Sequence, residues 1–240
     1  AAITISAERI LEQKFALGLF ENPYVDAEAA VALVGKAEFQ QEAQAAQAAS
    51  HVLLKNEGAL LPLKADGQRV YLHNVNAEVA RANGYTVVTN LADAELAIVR
   101  VNAPGEQDPR FPFGSIHFGQ LGFASNDQVV QETAHEGVYR GADDYAAIQA
   151  IEQAGVPLVL SVYLDRPAIL TEVAPAARVL LANFGALDQA LFDVMSGTQK
   201  ARGKLPFELP SSWQAVLAQS PDVAKDSQSP LYPYGAGLAY

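Results

Sequence analysis

Cysteine is absent from this chain, which by arithmetic removes disulfides, thiolate metal sites and cysteine nucleophiles and leaves the redox compartment open. Positive charge is scarce. Sixteen Lys plus Arg stand against 27 Asp plus Glu, a net charge of -11, so the overall field repels a polyanion and no nucleic-acid partner is expected. A neutral ligand, such as a sugar, is not excluded. No apolar run reaches the roughly 18–20 residues that span a bilayer, and the N-terminus has neither the basic region nor the apolar stretch of a signal peptide. A soluble chain without a membrane partner is expected, with room left for a leader removed earlier. The familiar enzyme signatures are missing too. There is no GxSxG elbow, no GxxxxGKS loop and no HExxH, and His51, His73, His117 and His135 never fall at helical metal-binding spacing. Gly235-Ala236-Gly237 lacks the third glycine and the strand-then-helix setting of a dinucleotide site.

What is present is ample apolar content, half of the 240 residues, enough for a buried core in one large or two small domains. SAERILEQKFALGLF, from Ser6, spaces Ile10, Leu11, Phe15 and Leu17 as a helix would, with Ser6 as N-cap and Gly18 near the stop. Asn22-Pro23 breaks it, and Asp26 is placed to cap an Ala-rich helical stretch running to about Ser50. Residues 1–50 therefore read as a helical connector and 51–240 as the packed domain with a turn-rich C-terminal tail. HVLLKN, RVYLH, YTVVT, ELAIVRV, PLVLSVYL and RVLLANF are short, apolar and rich in β-branched residues, as strands covered on both faces would be. Between them, DDYAAIQAIEQAG, with Asp143 or Asp144 to cap and Gly155 to stop, and ALDQALFDVMSG, ending at Gly197, read as helices. The expected fold is α/β: a three-layer α/β/α sandwich with a mostly parallel sheet, preceded by the helical connector.

Ligands of such sheets gather beyond the carboxyl ends of the strands. The loop after Val101, in RVNAPGEQDPRF (residues 100–111), concentrates Glu106, Asp108 and Arg110 among glycine and proline. On composition alone, a lone Glu in a polar loop is a solvated charge about nine times in ten. Other polar residues have ready structural roles. Lys55, following a strand, suits a surface pair; Asp165 and Arg166 suit the cap of a helix opened by Pro167; Trp213 suits packing at a domain edge. His117, in IHFGQ, fits a sugar site or a loop histidine satisfied by backbone about equally well.

Six segments then resemble, in order, landmarks of the second domain of family 3 glycoside hydrolases of the β-glucosidase type. They are RILEQKFALGLFENPYVD (9–26), HVLLKNEGALLPL (51–63), VYLDRPAILTEV (162–173), LLANFGALDQALFDVMSG (180–197), GKLPFELPSS (203–212) and LYPYGAGLAY (231–240). The resemblance implies a retaining, exo-acting β-glucosidase that needs no cofactor. Its nucleophile aspartate would come from an N-terminal barrel absent here, and its general acid/base from this domain. Carried across residue by residue, it makes Glu106 the acid/base, with Asp108 as the fallback because Gln107-Asp108 look inserted relative to the family's loop. Arg110 and His117 become substrate-binding candidates. The implied partners are the barrel and a β-glucoside, a homodimer of the full enzyme is compatible, and the implied compartment is periplasmic or secreted. The rival readings are a flavodoxin-like binding or signalling module and a non-catalytic interaction domain on the same fold.

Overall fold

The computed structural model describes residues 2–107, 117–118, 121–124, 138–140, 142–220 and 222–240. The chain divides into two compact units, Ala1–Ala43 and Gln44–Tyr240. The first contains α1 (Ala2–Ala16), α2 (Ala27–Leu33) and the start of α3 (Ala37–Ser50). Ser6 lies inside α1 rather than capping it, because the apolar spacing extends further toward the N-terminus than the cap signal suggests. Asp26 does cap α2, accepting from the amide of Ala29 at 3.0 Å. Gly35, at φ 74°, takes the left-handed conformation at the turn between α2 and α3.

The second unit is built on β1 (Val52–Asn56), β2 (Arg69–His73), β3 (Thr86–Val88), β4 (Leu96–Asn102), β8 (Leu158–Tyr163) and β9 (Val179–Asn183). They form one sheet in the order β1-β9-β8-β4-β2-β3, parallel throughout except for β1 against β9. With period two, side chains alternate between two cores. Val99, Leu160, Val162, Leu180 and Val52 point to one; Ile98, Val159, Leu181 and Leu53 point to the other. Each such fully buried aliphatic chain contributes roughly 1.5–3 kcal/mol, which is why the strands read as continuous apolar runs.

Helix α4 (Ala77–Ala82), between β2 and β3, and α6 (Asp188–Ser196), after β9, bury Ala80 and Phe192 in the second core. Helix α5 (Ala142–Ala154), between β4 and β8, buries Ile148 and Ile151 in the first. This placement follows from handedness. The chain moves outward from β2 to β3, then returns to lay β4 on β2's other side and proceeds in the opposite direction to β8. Right-handed crossovers in opposite directions put their helices on opposite faces. The carboxyl ends of β2 and β4 therefore flank a topological switch point. Gly155 and Gly197 close α5 and α6 at φ 69° and 77°.

The tail docks by backbone approach. The Leu238 amide donates to the carbonyl of Leu53 at 2.7 Å, and that of Gly203 to His51 at 3.0 Å. Trp213 opens α7 (Trp213–Leu217), which Ser212 caps through the Ala215 amide. Lys55 pairs with Glu57 at 3.2 Å and donates to the Ala174 carbonyl, the structural role expected. Pro167, by contrast, opens no helix: Asp165 and Arg166 lie in a bend, and Ile169 bridges to Gly122. That pairing takes the amide of Ile169 to the Leu121 carbonyl at 2.8 Å and commits the backbone to an extended path.

Candidate active site

The carboxyl edge of the sheet is held by a connected set of polar groups. Arg100, on β4, pairs with Asp188 at the start of α6 and donates to the Ala186 carbonyl at 2.6 Å. The second carboxylate oxygen of Asp188 accepts from the amide of Asn76 at 2.8 Å, and Asn76 caps α4 through the amides of Glu78 and Val79. One residue thus ties together two helix N-termini and a strand. On the other side of the switch point, the carboxylate of Asp144, in the first turn of α5, accepts from His73 Nε2 at 2.7 Å and Asn74 Nδ2 at 2.9 Å. Asn74 also donates to the carbonyl of Arg100 at 3.2 Å, joining the ends of β2 and β4. Asp144 is therefore engaged across the switch point. Between these ties lies a cleft of about 320 Å³ lined by Asn74, Arg100, Val101, Asn102 and Tyr163.

Chain leaving β4 turns at once into a second, small sheet. Strand β5 (Gly105–Gln107) is central, flanked antiparallel by β6 (His117–Phe118) and β7 (Val138–Arg140). The segment expected as a loop is thus strand at Gly105–Gln107, since backbone groups leaving a buried strand find partners on both sides. Glu106, described by its backbone, is the middle residue of the middle strand, in register with Phe118 and Tyr139. His117 lies opposite Gln107, so the topology brings the backbones of Glu106 and His117 into adjacent strands. Asp108 and Arg110 lie outside the described residues.

The root of β5 is fixed by a residue that the sequence reading assigned elsewhere. Pro104 is buried, and its carbonyl accepts from Arg166 Nη2 at 3.0 Å. Arg166 follows β8, so the guanidinium links two neighbouring strand ends just before Glu106. Its sequence signal, an Arg beyond the carboxyl end of an apolar strand, was visible but pointed to a helix cap. Among the described residues no cluster of three His, Asp or Glu could hold a metal ion, and no helix is long and apolar enough to cross a membrane.

A flavodoxin-like strand order, with polar groups converging on the switch point and an extra strand carried beyond β4, defines a doubly wound α/β domain with its working edge at the strands' carboxyl ends. Comparison with known proteins makes this specific: residues 51–240 match the glycosyl hydrolase family 3 C-terminal domain, and the chain belongs to that family. It is 42% identical to a periplasmic beta-glucosidase/beta-xylosidase of Dickeya chrysanthemi, over 100% of this chain and 34% of the relative. It is 37% identical to a probable beta-glucosidase C of Aspergillus oryzae, over 99% of this chain and 35% of the relative. The chain thus spans about a third of the length of these relatives. Among solved structures, a β-glucosidase from Erythrobacter marinus superposes with a TM-score of 0.71 at 19% identity, covering 98% of this chain and 39% of that one. One from Listeria innocua gives 0.69 at 20%, covering 97% and 38%. These two speak to the fold.

Proposed function

We propose that this chain is the acid/base-bearing domain of a retaining, exo-acting β-glucosidase, and that it works with an N-terminal barrel supplying the nucleophile aspartate. The observation that carries the reading is the position of Glu106 on a strand extended directly beyond the carboxyl end of β4, the edge where ligands of this architecture bind, in a chain whose relatives are named β-glucosidases. In a retaining mechanism the two carboxyl groups stand about 5–5.5 Å apart across the scissile bond. One attacks C1 while the other gives its proton to the leaving oxygen, then takes a proton from the water that releases the sugar. Such an acid must stay protonated near neutral pH, which a neighbouring carboxylate and the exclusion of water both favour. Both would come from the barrel, so the chain by itself is expected to turn over aryl glucosides negligibly. The Dickeya relative's name favours a periplasmic setting.

The test is Glu106→Gln in the polypeptide that joins this chain to its barrel. Turnover of an alkyl or cellobiose-type glucoside should fall by about 10²–10⁴, and with a dinitrophenyl glucoside, whose leaving group departs without a proton, azide should restore turnover with release of the β-glucosyl azide. Wild-type turnover in Glu106→Gln, with the loss appearing instead in Asp108→Asn, would transfer the role to Asp108. Wild-type turnover in both would favour the non-catalytic interaction module.

A further inference from the structure

A second cavity, of about 590 Å³, lies beside the root of β5. It falls within the roughly 300–1,000 Å³ of small-molecule pockets. Its walls include Leu121, Pro167, Phe207, Pro210, Val216 and Val223, apolar groups drawn from the chain after β6, the loop after β8, the segment preceding α7, α7 itself and the segment that follows it. Arg166 lines the same cavity while donating to the Pro104 carbonyl at 3.0 Å. Only Gly105 separates Pro104 from Glu106, two steps or about 7 Å of extended chain. One guanidinium thus joins the cavity wall to the chain that enters Glu106.

We propose that this cavity receives the leaving group of the glucoside and favours a planar, largely apolar aglycone, such as a phenolic ring, over a second sugar. The proposal rests on the acid/base reading of Glu106. As the Glu106 proton passes to the glycosidic oxygen, the C1–O bond breaks, the nucleophile's oxygen bonds to C1, and the aglycone departs as the neutral phenol. A departing group on the acid's side needs somewhere to sit, and the cavity's chemistry decides what kind. Its carboxylates are engaged in the wall itself: Glu208 accepts from the Ser227 amide at 3.0 Å, and Asp226 from the Ser220 amide at 2.7 Å. Lys225 stands 3.6 Å over the ring of Tyr234. A second sugar would bring several hydroxyls, each costing about 1–3 kcal/mol if buried unpaired, against this mostly apolar lining. A phenyl ring has none to satisfy and gains from every apolar wall it touches. The wall is also built to hold its shape, since three prolines line it and Lys225 is kept at φ 65°, a conformation that an L residue adopts only under constraint.

Two measurements test this. In NMR titrations of the 240-residue chain, phenol should shift the amides of Val216, Val223 and Tyr234 saturably, and Val223→Asp, at a half-exposed wall position, should abolish the effect. The absence of saturable shifts at those amides overturns the proposal. In the polypeptide with its barrel, Val223→Asp and Tyr234→Ala should each lower the ratio of kcat/KM for phenyl β-glucoside to that for cellobiose by about tenfold. Both positions are about half exposed, so either variant should fold. An unchanged ratio in both variants overturns the proposal whatever Glu106→Gln does. Glu106→Gln with wild-type kcat overturns the acid/base reading alone, because the pocket variants are scored on selectivity and Glu106→Gln on turnover.

Discussion

The two units of the chain dispose of their apolar side chains in opposite ways. In Gln44–Tyr240 the strand residues Ile98, Leu160 and Leu181 are fully buried and belong to two continuous cores. In Ala1–Ala43, neither α1 nor α2 buries a single residue, and Ile3, Phe15, Val25 and Val31 are between 61 and 87% exposed. The contrast teaches that apolar periodicity predicts a helix and a face to be covered, but not that the covering is supplied by the same stretch of chain. Substitutions on the two sides should therefore behave very differently.

The largest effect is expected in the core. Phe192, 1% exposed and stacked near Tyr85 with ring centroids 5.5 Å apart, should cost about 3–5 kcal/mol as Phe192→Ala, measured by urea unfolding of the chain. A loss under about 1 kcal/mol would mean that the second core is looser than its burial indicates. Next comes the junction between tail and sheet. A Cβ on Gly203 would sit 2.4 Å from the Ser50 carbonyl oxygen and 2.8 Å from that of His51. Both are backbone atoms and cannot rotate away. Gly203→Ala should therefore cost about 2 kcal/mol or more, and should weaken the backbone hydrogen bond from Gly203 to His51, detectable as faster amide exchange at Gly203.

His51 provides a smaller, pH-dependent effect. It is 1% exposed and donates through Nδ1 to the Gln47 carbonyl at 3.0 Å. Burial disfavours the imidazolium and holds the pKa below the ordinary 6.5. A group whose folded pKa is depressed binds fewer protons in the folded than in the unfolded chain. Its contribution is fully present above about pH 6.5 and is lost as pH falls through the folded value. Between those limits stability should fall by up to about 1 kcal/mol per pH unit, and His51→Gln should flatten that part of the profile. A variant as steep as wild type just below pH 6.5 would show that other groups govern it.

Much of the sheet was legible because its residues obey one rule: six apolar, β-branched segments bounded by Gly, Asn and Pro each became a strand. Helix stops were equally plain at Gly155 and Gly197, where only a left-handed residue completes the turn. What could not be read was anything set by partners distant in sequence. HVLLKN says nothing of its antiparallel pairing with β9, because a run buried on both faces looks the same in either direction. Gly105–Gln107 gives no strand signal of its own, and its pairing depends on β6 and β7. The site was legible only as a place, the end of β4. Arg166 acquires its bond to the Pro104 carbonyl through the neighbouring positions of β4 and β8, which no local pattern encodes, and Asp144 looks like a cap until His73 is brought beside it.

The smallest effect is the one that sharpens the comparison most. Phe15 is 61% exposed and packs against Phe20, with ring centroids 4.5 Å apart, so Phe15→Ser in this chain should change the free energy of the main urea transition by less than about 0.5 kcal/mol. The proposed function requires a barrel, and the exposed apolar residues of α1 and α2 are the ones available to pack against it. In the polypeptide with its barrel, the same substitution should then cost about 1–3 kcal/mol. A cost near zero in both settings would mean that those residues meet no partner, and the apolar surface of the first unit would need another explanation. A full cost already in the 240-residue chain would mean that the first unit is stabilised from within, and the contrast between the two units would disappear.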